Sequence, residues 1–303
     1  MTYRGVSPRC RPWLGHACRY SFVVAWLLVF PAFADAQPND RLEARAGRVA
    51  EGAIRIDGTL DEPIWRTAPA VTDFIQAEPD EGEPPTDRME VRFAYDDGAL
   101  YVGARMFSTA PVQAPLSRRD DGGLAESIQI ELDTYLDRRT AYMFGVTAAG
   151  VRLDHYHSRD DEGNRDTEYD PVWQARTART DDGWTAELWL PFSQLRFNAR
   201  AEQVFGLNIK RDIPALNEEN YWALVRRTES GWASRFGNLR GIVDVEPRLR
   251  LELLPYVSGS ARFTGDRDLN DPFDDGKNLG GRGGADVKYG VGSNLTLDVA
   301  FNP

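Results

Sequence analysis

Apolar and polar side chains alternate at a period of two through most of the chain between residues 49 and 245. Met89, Val91, Phe93 and Tyr95 fall on one face of a run. Leu100, Val102 and Ala104 fall on one face of the next, and Asp96-Asp97-Gly98 between them is a hairpin signal. Ile128, Ile130 and Leu132 alternate with Gln129 and Glu131; Tyr142, Phe144 and Val146 repeat the pattern. Further runs lie near 151–157, 172–179, 184–190, 204–211 and 221–227, with Gly, Pro, Asn and Asp between them. No long stretch carries the 3.6-residue period of an amphipathic helix. Short alternating runs with turn punctuation predict an all-β domain, an antiparallel β-sandwich of immunoglobulin or jelly-roll type, over 49–245. Residues 37–48 read as a short exposed leader.

The pattern changes beyond Pro247. Leu249, Leu251 and Leu253 oppose Arg248, Arg250 and Glu252. Ala285, Val287, Tyr289 and Val291 oppose Asp286 and Lys288, and Leu295, Leu297, Val299 and Phe301 oppose Thr296 and Asp298. Strands of about ten residues with one apolar and one polar face are the pattern of a transmembrane β-barrel. Residues 246–303 are therefore expected to be its first strands, with outer-membrane lipid as a partner. Such a barrel closes only with about eight strands or more, so a longer protein is expected.

The N-terminus reads as a secretory signal over residues 1–36. Arg4, Arg9, Arg11 and Arg19 precede an apolar stretch from Ser21 to Phe33, and Ala34-Asp35-Ala36 has the small-x-small form of a cleavage site. Both cysteines, Cys10 and Cys18, lie in this segment, so the exported remainder has no disulfide, thiolate ligand or cysteine nucleophile. The formal charge is −11; the signal carries four Arg and Asp35, a net +3, so the remainder stands at −14. That balance argues against nucleic acid as a partner. Acidic turns at 80–83, 120–121, 160–162 and 271–275 read as solvated loops; calcium is the one cofactor they bring to mind, but no Asp-x-Asp-x-Asp-Gly loop is present.

Few residues offer catalysis, and none is assigned a catalytic role. His155 and His157 share one face of a strand, a spacing open to a metal pair with Asp160 or Asp161 as a third ligand, or to two solvated imidazoles. No Gly-x-Ser-x-Gly, His-Glu-x-x-His or Walker sequence occurs. A saccharide site would need aromatic faces and planar polar groups. Trp173, Trp189, Trp222 and Trp232 are the candidate aromatics, whereas Trp184 alternates with Ala186 and Leu188 as core. Arg119, Asp120, Arg138 and Arg211, at strand ends, are the candidate polar groups, with structural ion pairs as the competing reading.

Two segments carry a resemblance. In residues 54–65, Ile54 and Ile56 suggest a strand, Asp57-Gly58 a turn, and Asp61 and Pro63 the start of a helical turn that folds Trp65 back. Residues 182–195 answer with Asp182-Gly183-Trp184 and Leu190-Pro191-Phe192. With the segments 95–105, 132–142, 205–211 and 251–257, they resemble the carbohydrate-binding module family 9-like domain of bacterial outer-membrane proteins that carry it ahead of a β-barrel. The resemblance spans residues 45–303. It implies a non-catalytic domain that binds an oligosaccharide or polysaccharide at the outer membrane, in the periplasm or at the surface, in carbohydrate catabolism. Two other readings stay open: a plug or docking domain without sugar binding, and an activity associated with glycoside hydrolysis.

Overall fold

The computed structural model describes residues 41–247, 251–263, 276–291 and 295–302; the expected signal segment lies outside them. The fold is almost entirely β. Its first part contains β1 (Glu43–Arg48), β2 (Ile75–Glu78), β3 (Met89–Tyr95), β4 (Ala99–Phe107), β5 (Ser127–Asp133), β6 (Ala141–Thr147) and β7 (Arg152–His157). It continues with β8 (Arg165–Asp166), β9 (Gln174–Thr180), β10 (Gly183–Pro191), β11 (Glu202–Ile213), β12 (Glu218–Tyr221) and β13 (Gly237–Val243). The only α-helix among the described residues is one turn, α1 (Ile64–Thr67).

These strands form one curled sheet in the order β8-β7-β6-β5-β11-β13-β1-β3-β4-β10-β9, with β12 and β2 beside β11. The two halves face each other as a sandwich, and β1 joins them. Its residues Glu43 to Arg45 pair with β13 and its residues Ala46 to Arg48 pair with β3, both in parallel. Every other described pairing is antiparallel. Two expectations are corrected. The sheet is mixed rather than purely antiparallel, and residues 43–48 are an integral strand rather than an exposed leader, with Ala44 and Ala46 buried.

The core follows the alternation. Ile128, Ile130 and Leu132, Phe144 and Val146, and Phe205, Leu207 and Ile209 line one wall. Val91 and Phe93, Leu100, Val102 and Ala104, and Trp184, Ala186, Leu188 and Leu190 line the other. Arg211 continues the core face of β11 and is fully buried. Its Nε donates to Glu126 Oε1 at 3.0 Å, and its Nη2 also donates to that carboxylate and to the Phe107 carbonyl at 2.7 Å. Trp184 Nε1 donates to the same Glu126 oxygen at 2.7 Å. Arg211 therefore belongs to the sandwich interior and is not a surface ligand group. Its charge stays there because every side of it meets an acceptor.

The segment 54–65 also departs from expectation. Residues 54–56 belong to no strand, and no side chain caps the helical turn, which starts directly after Pro63. The segment is instead held from below by Glu187 of β10, which is fully buried. Glu187 Oε2 accepts from the backbone N–H of Asp57 at 3.0 Å and of Gly58 at 2.8 Å, and its Oε1 accepts from Trp65 Nε1 at 3.0 Å. The Trp65 ring lies flat on Gly103, the cross-strand partner of Glu187; a Cβ there would come within 2.7 Å of the ring. Gly58 sits at φ +92°, against the Thr177 backbone, where no side chain fits.

Beyond the sandwich, β14 (Leu251–Phe263), β15 (Lys277–Val291) and β16 (Leu295–Phe301) form an antiparallel meander. In register, Leu251, Tyr289 and Leu297 lie side by side, as do Leu253, Val287 and Val299; Glu252, Lys288 and Asp298 form the adjacent polar row. Leu251, Leu253, Val257, Leu295, Leu297 and Phe301 are all exposed.

Two outcomes follow. Replacing Arg211 with Met leaves the Glu126 carboxylate buried without its cation; urea unfolding is expected to show a loss of about 3–5 kcal/mol. Burial pushes Glu187 up to about 7, against the pull of its three N–H donors. A carboxyl raised on folding contributes stability that is complete below its unfolded pKa and is lost as pH rises through the folded one. The stability of the chain minus that of Glu187→Gln is therefore expected to fall by about 1–3 kcal/mol from pH 4.5 to 8, measured as urea midpoints.

Candidate functional site

The connection from β12 to β13, residues 222–236, folds over the outer face of β5, β6 and β7. It brings Trp232, Ala233 and Phe236 onto Ala141 and Tyr221. Asp160, in the loop after β7, clasps it: one carboxylate oxygen accepts from Trp232 N at 2.6 Å and Ser234 N at 2.9 Å. Partial burial opposes ionisation of Asp160, but these bonds outweigh it and hold the carboxyl below its ordinary range.

Between this connection, β2 and the β7–β8 loop lies a cavity of about 550 Å³, lined by Glu78, Glu81, Asp160, Asp161, Glu162, Glu219, Tyr221, Arg226, Arg227 and Trp232 among others. Two acidic turns that the sequence shows far apart, 80–83 and 160–162, thus meet across one opening. Arg227 bonds Glu78 at 2.5 Å, and its backbone N–H donates to Glu81 at 2.9 Å. Arg226 approaches Glu81 at 3.6 Å. Tyr221 and Trp232 form the floor, edge to face with centroids 5.7 Å apart. Burial, then the carboxylates of Glu162 and Glu219, raise the Tyr221 hydroxyl far above its ordinary value, so it stays a donor, 3.4 Å from Glu162. Lys210 spans Asp212 at 2.9 Å and Glu219 at 3.0 Å on the same side. The opening therefore presents carboxylate acceptors, guanidinium donors and a phenol, a set suited to a ligand with many hydroxyl groups.

Burial raises Glu131, Asp133 (to about 6), Asp154 and Glu187, but none of these lines the cavity.

Beneath the floor, Glu131, His155 and His157 meet on the outer face of β5 and β7, all buried. The two imidazoles face each other, Nε2 to Nε2 at 2.9 Å, and His157 Nε2 lies 3.6 Å from Glu131. The paired histidines expected from the sequence are thus together and are not solvated. Their carboxylate neighbour is Glu131, not Asp160 or Asp161, because β5 and β7 flank β6 with Glu131 and His155 both opposite Met143, while Asp160 is committed to Trp232 and Ser234. Burial, then the neighbouring charges of His157 and Arg165, push His155 down to about 3, so its imidazole is neutral at physiological pH.

The other expected site residues are dispersed. Trp173 is buried in the core, donating to Asp154 at 3.0 Å and packed edge-on against Phe144. Trp222 is buried against Gly237, where a Cβ would meet its ring at 2.6 Å. Neither presents a face to a sugar. Trp189 is half-buried on the outer face beside Trp65 and Tyr101. Arg119 bonds Asp154 at 2.8 Å and Asp170 at 2.6 Å, while Asp120 accepts from Asp154 N at 3.0 Å. Arg138 donates to the Phe236 carbonyl at 3.0 Å and to Asn238. Arg119, Asp120 and Arg138 therefore tie loops to the sandwich in two separate places, the first two around Asp154 and the third beside Phe236 and Asn238. Trp232 is the candidate aromatic that reaches the cavity. Arg226, Arg227, Glu78 and Tyr221 were not singled out by the sequence.

Acrylamide quenching checks this arrangement: among Trp65, Trp173, Trp184, Trp189, Trp222 and Trp232, substitution of Trp189 by Phe is expected to remove the largest quenchable fraction of fluorescence.

No protein-family model matches the sequence, and no curated protein matches it. Solved structures do. A family 9 carbohydrate-binding module from Caldicellulosiruptor kristjanssonii, in complex with cellotriose, is similar over 67% of this chain and 100% of its own, at 17% identity and TM-score 0.47. The glucose complex of a family 9 module from that organism covers 68% and 97%, at 17% identity and TM-score 0.49. A candidate carbohydrate-binding protein from Bacteroides uniformis ATCC 8492 covers 66% of this chain and 99% of its own, at 13% identity and TM-score 0.51. The likeness is one of fold, and it rests on the last of these, the candidate carbohydrate-binding protein.

Proposed function

We propose that the sandwich is a non-catalytic module that binds an oligosaccharide or polysaccharide, and that the cavity over Tyr221 and Trp232 receives it. The observation that supports this most directly is the composition of the opening. Carboxylates from the turns at 80–83 and 160–162, two arginines and a buried phenol converge on one concave surface above an aromatic floor. Hydroxyl groups can donate to the former and accept from the latter, and the arginines are exposed enough to exchange their present partners. The fold likeness agrees with a binding role, and the scatter of the raised carboxyls speaks against hydrolysis.

We place the module at the bacterial outer membrane. The support is the meander of β14, β15 and β16, whose exposed apolar row runs beside a row of charges, the pattern of a lipid-facing and a lumen-facing side. Carbohydrate uptake or breakdown is the process that such a module would serve.

Isothermal titration of the full chain in mild detergent against a panel of neutral oligosaccharides is expected to show saturable binding. Arg227→Ala is expected to weaken it about tenfold, a loss of about 1.4 kcal/mol. A flat panel, or binding that is unchanged by both Arg227→Ala and Glu219→Gln, would sink the assignment of the cavity. Membrane fractionation is expected to leave the protein in the outer-membrane pellet after salt washing and to release it with detergent.

A further inference from the structure

Beneath the cavity floor, three side chains converge with no ordinary reason to do so. Glu131 stands on β5 and His155 and His157 on β7; strand β6 lies between, and Met143 pairs with both Glu131 and His155. All three point to the outer face, where an exposed strand would leave them in water. The connection carrying Trp232 covers them instead: Glu131 and His155 keep 4% and 6% of their surface and His157 none. The ligand atoms of the three lie within 4.8 Å of one another.

Protein groups alone leave this cluster unsatisfied. The Oε2 atom of Glu131 and the Nδ1 atom of His157 are buried without a hydrogen-bond partner, as is Nε1 of Trp232, whose ring stands 6.3 Å from that of His157. Two imidazole nitrogens aimed at each other at 2.9 Å can share at most one proton. A buried carboxylate with an open lone pair and no cation costs several kcal/mol on general grounds. A divalent metal removes both problems at once, because it accepts lone pairs from the two nitrogens and neutralises the carboxylate. The spacing suits it. Metal–nitrogen bonds of about 2.0–2.1 Å in a tetrahedron set ligand edges of about 3.3 Å, and the distances here, 2.9 and 3.6 Å, bracket that value.

We propose that Glu131, His155 and His157 bind a zinc(II) ion through two imidazole Nε2 atoms and one carboxylate oxygen, with the fourth position open to water. The donor set is nitrogen and oxygen in a thiol-free setting, which suits zinc among divalent ions better than the all-oxygen shell that calcium takes. The ion fastens β5 to β7 directly under Trp232, and so fixes the floor of the cavity above. The inference does not depend on what that cavity binds.

The full chain, stripped with chelator and dialysed, is expected to take up one zinc ion per chain by elemental analysis and to unfold at higher temperature with zinc than with chelator. Cobalt(II) in place of zinc is expected to give the visible absorption of a four-coordinate site. Glu131→Gln and His155→Gln, checked for retained far-UV circular dichroism, are each expected to weaken zinc binding more than about 100-fold, beyond what loss of an outer hydrogen-bond partner costs. Zinc uptake that is unchanged in both variants, or calcium uptake in place of zinc, would overturn the proposal. If a variant does not fold, the cobalt spectrum of the unsubstituted chain decides: absent four-coordinate bands overturn it too.

Discussion

The Arg211–Glu126 ion pair is the constraint around which the two walls of the sandwich are arranged. Arg211 stands on one half of the sheet and reaches the carbonyl of Phe107 on the other, while Trp184, from that other half, donates to Glu126. In a core otherwise dominated by apolar and aromatic side chains, these directional bonds limit how far the walls slide. A shift of one residue in the register of β11 would turn the guanidinium outward and orphan the carboxylate. Since neither cysteine lies in the sandwich, no disulfide holds this spacing, and burial with one saturated polar knot does so instead.

The two outer faces are closed by a common device with different outcomes. On one, Trp65 lies on Gly103 and the segment 54–65 arches over the sheet; on the other, Trp232 and its connection lie over β6 and β7. Each covers a carboxylate. Glu187 receives three N–H donors and is complete. Glu131 keeps an oxygen without a partner beside two imidazoles. The first cover is a structural seal, and the second shelters groups with unused coordinating capacity.

The strands that build the core were legible because their alternation is strong: β3, β4, β5, β6 and β10 coincide with the apolar runs to within a few residues. β1 was not, since its buried residues are Ala44 and Ala46, too small to mark a pattern, and its pairing partner β13 lies nearly two hundred residues away. Arg211 could have been placed correctly. It shares parity with Phe205, Leu207 and Ile209, which puts it on the core face; the charge drew attention to a ligand role that the position forbids. Trp173, two residues from Ala175 and on the same face, carries the same lesson. The cavity was less accessible in principle. Its lining comes from four separated segments that have no local pattern in common, and only the folding of residues 222–236 across the sheet brings them together.

The position of β1 has a consequence for how the domain is made. Glu43 opposes Asn238, and Ala46 opposes Phe93. In chain order β1 therefore comes before every other strand of the sandwich and yet completes its pairing last, because one of its two neighbours does not exist until almost the whole sandwich has been delivered. Until then the edge of Glu43 to Arg45 that β13 will cover stays open to any other extended segment. Joining β1 to β13 therefore carries a loop-closure cost that local contacts do not repay in advance.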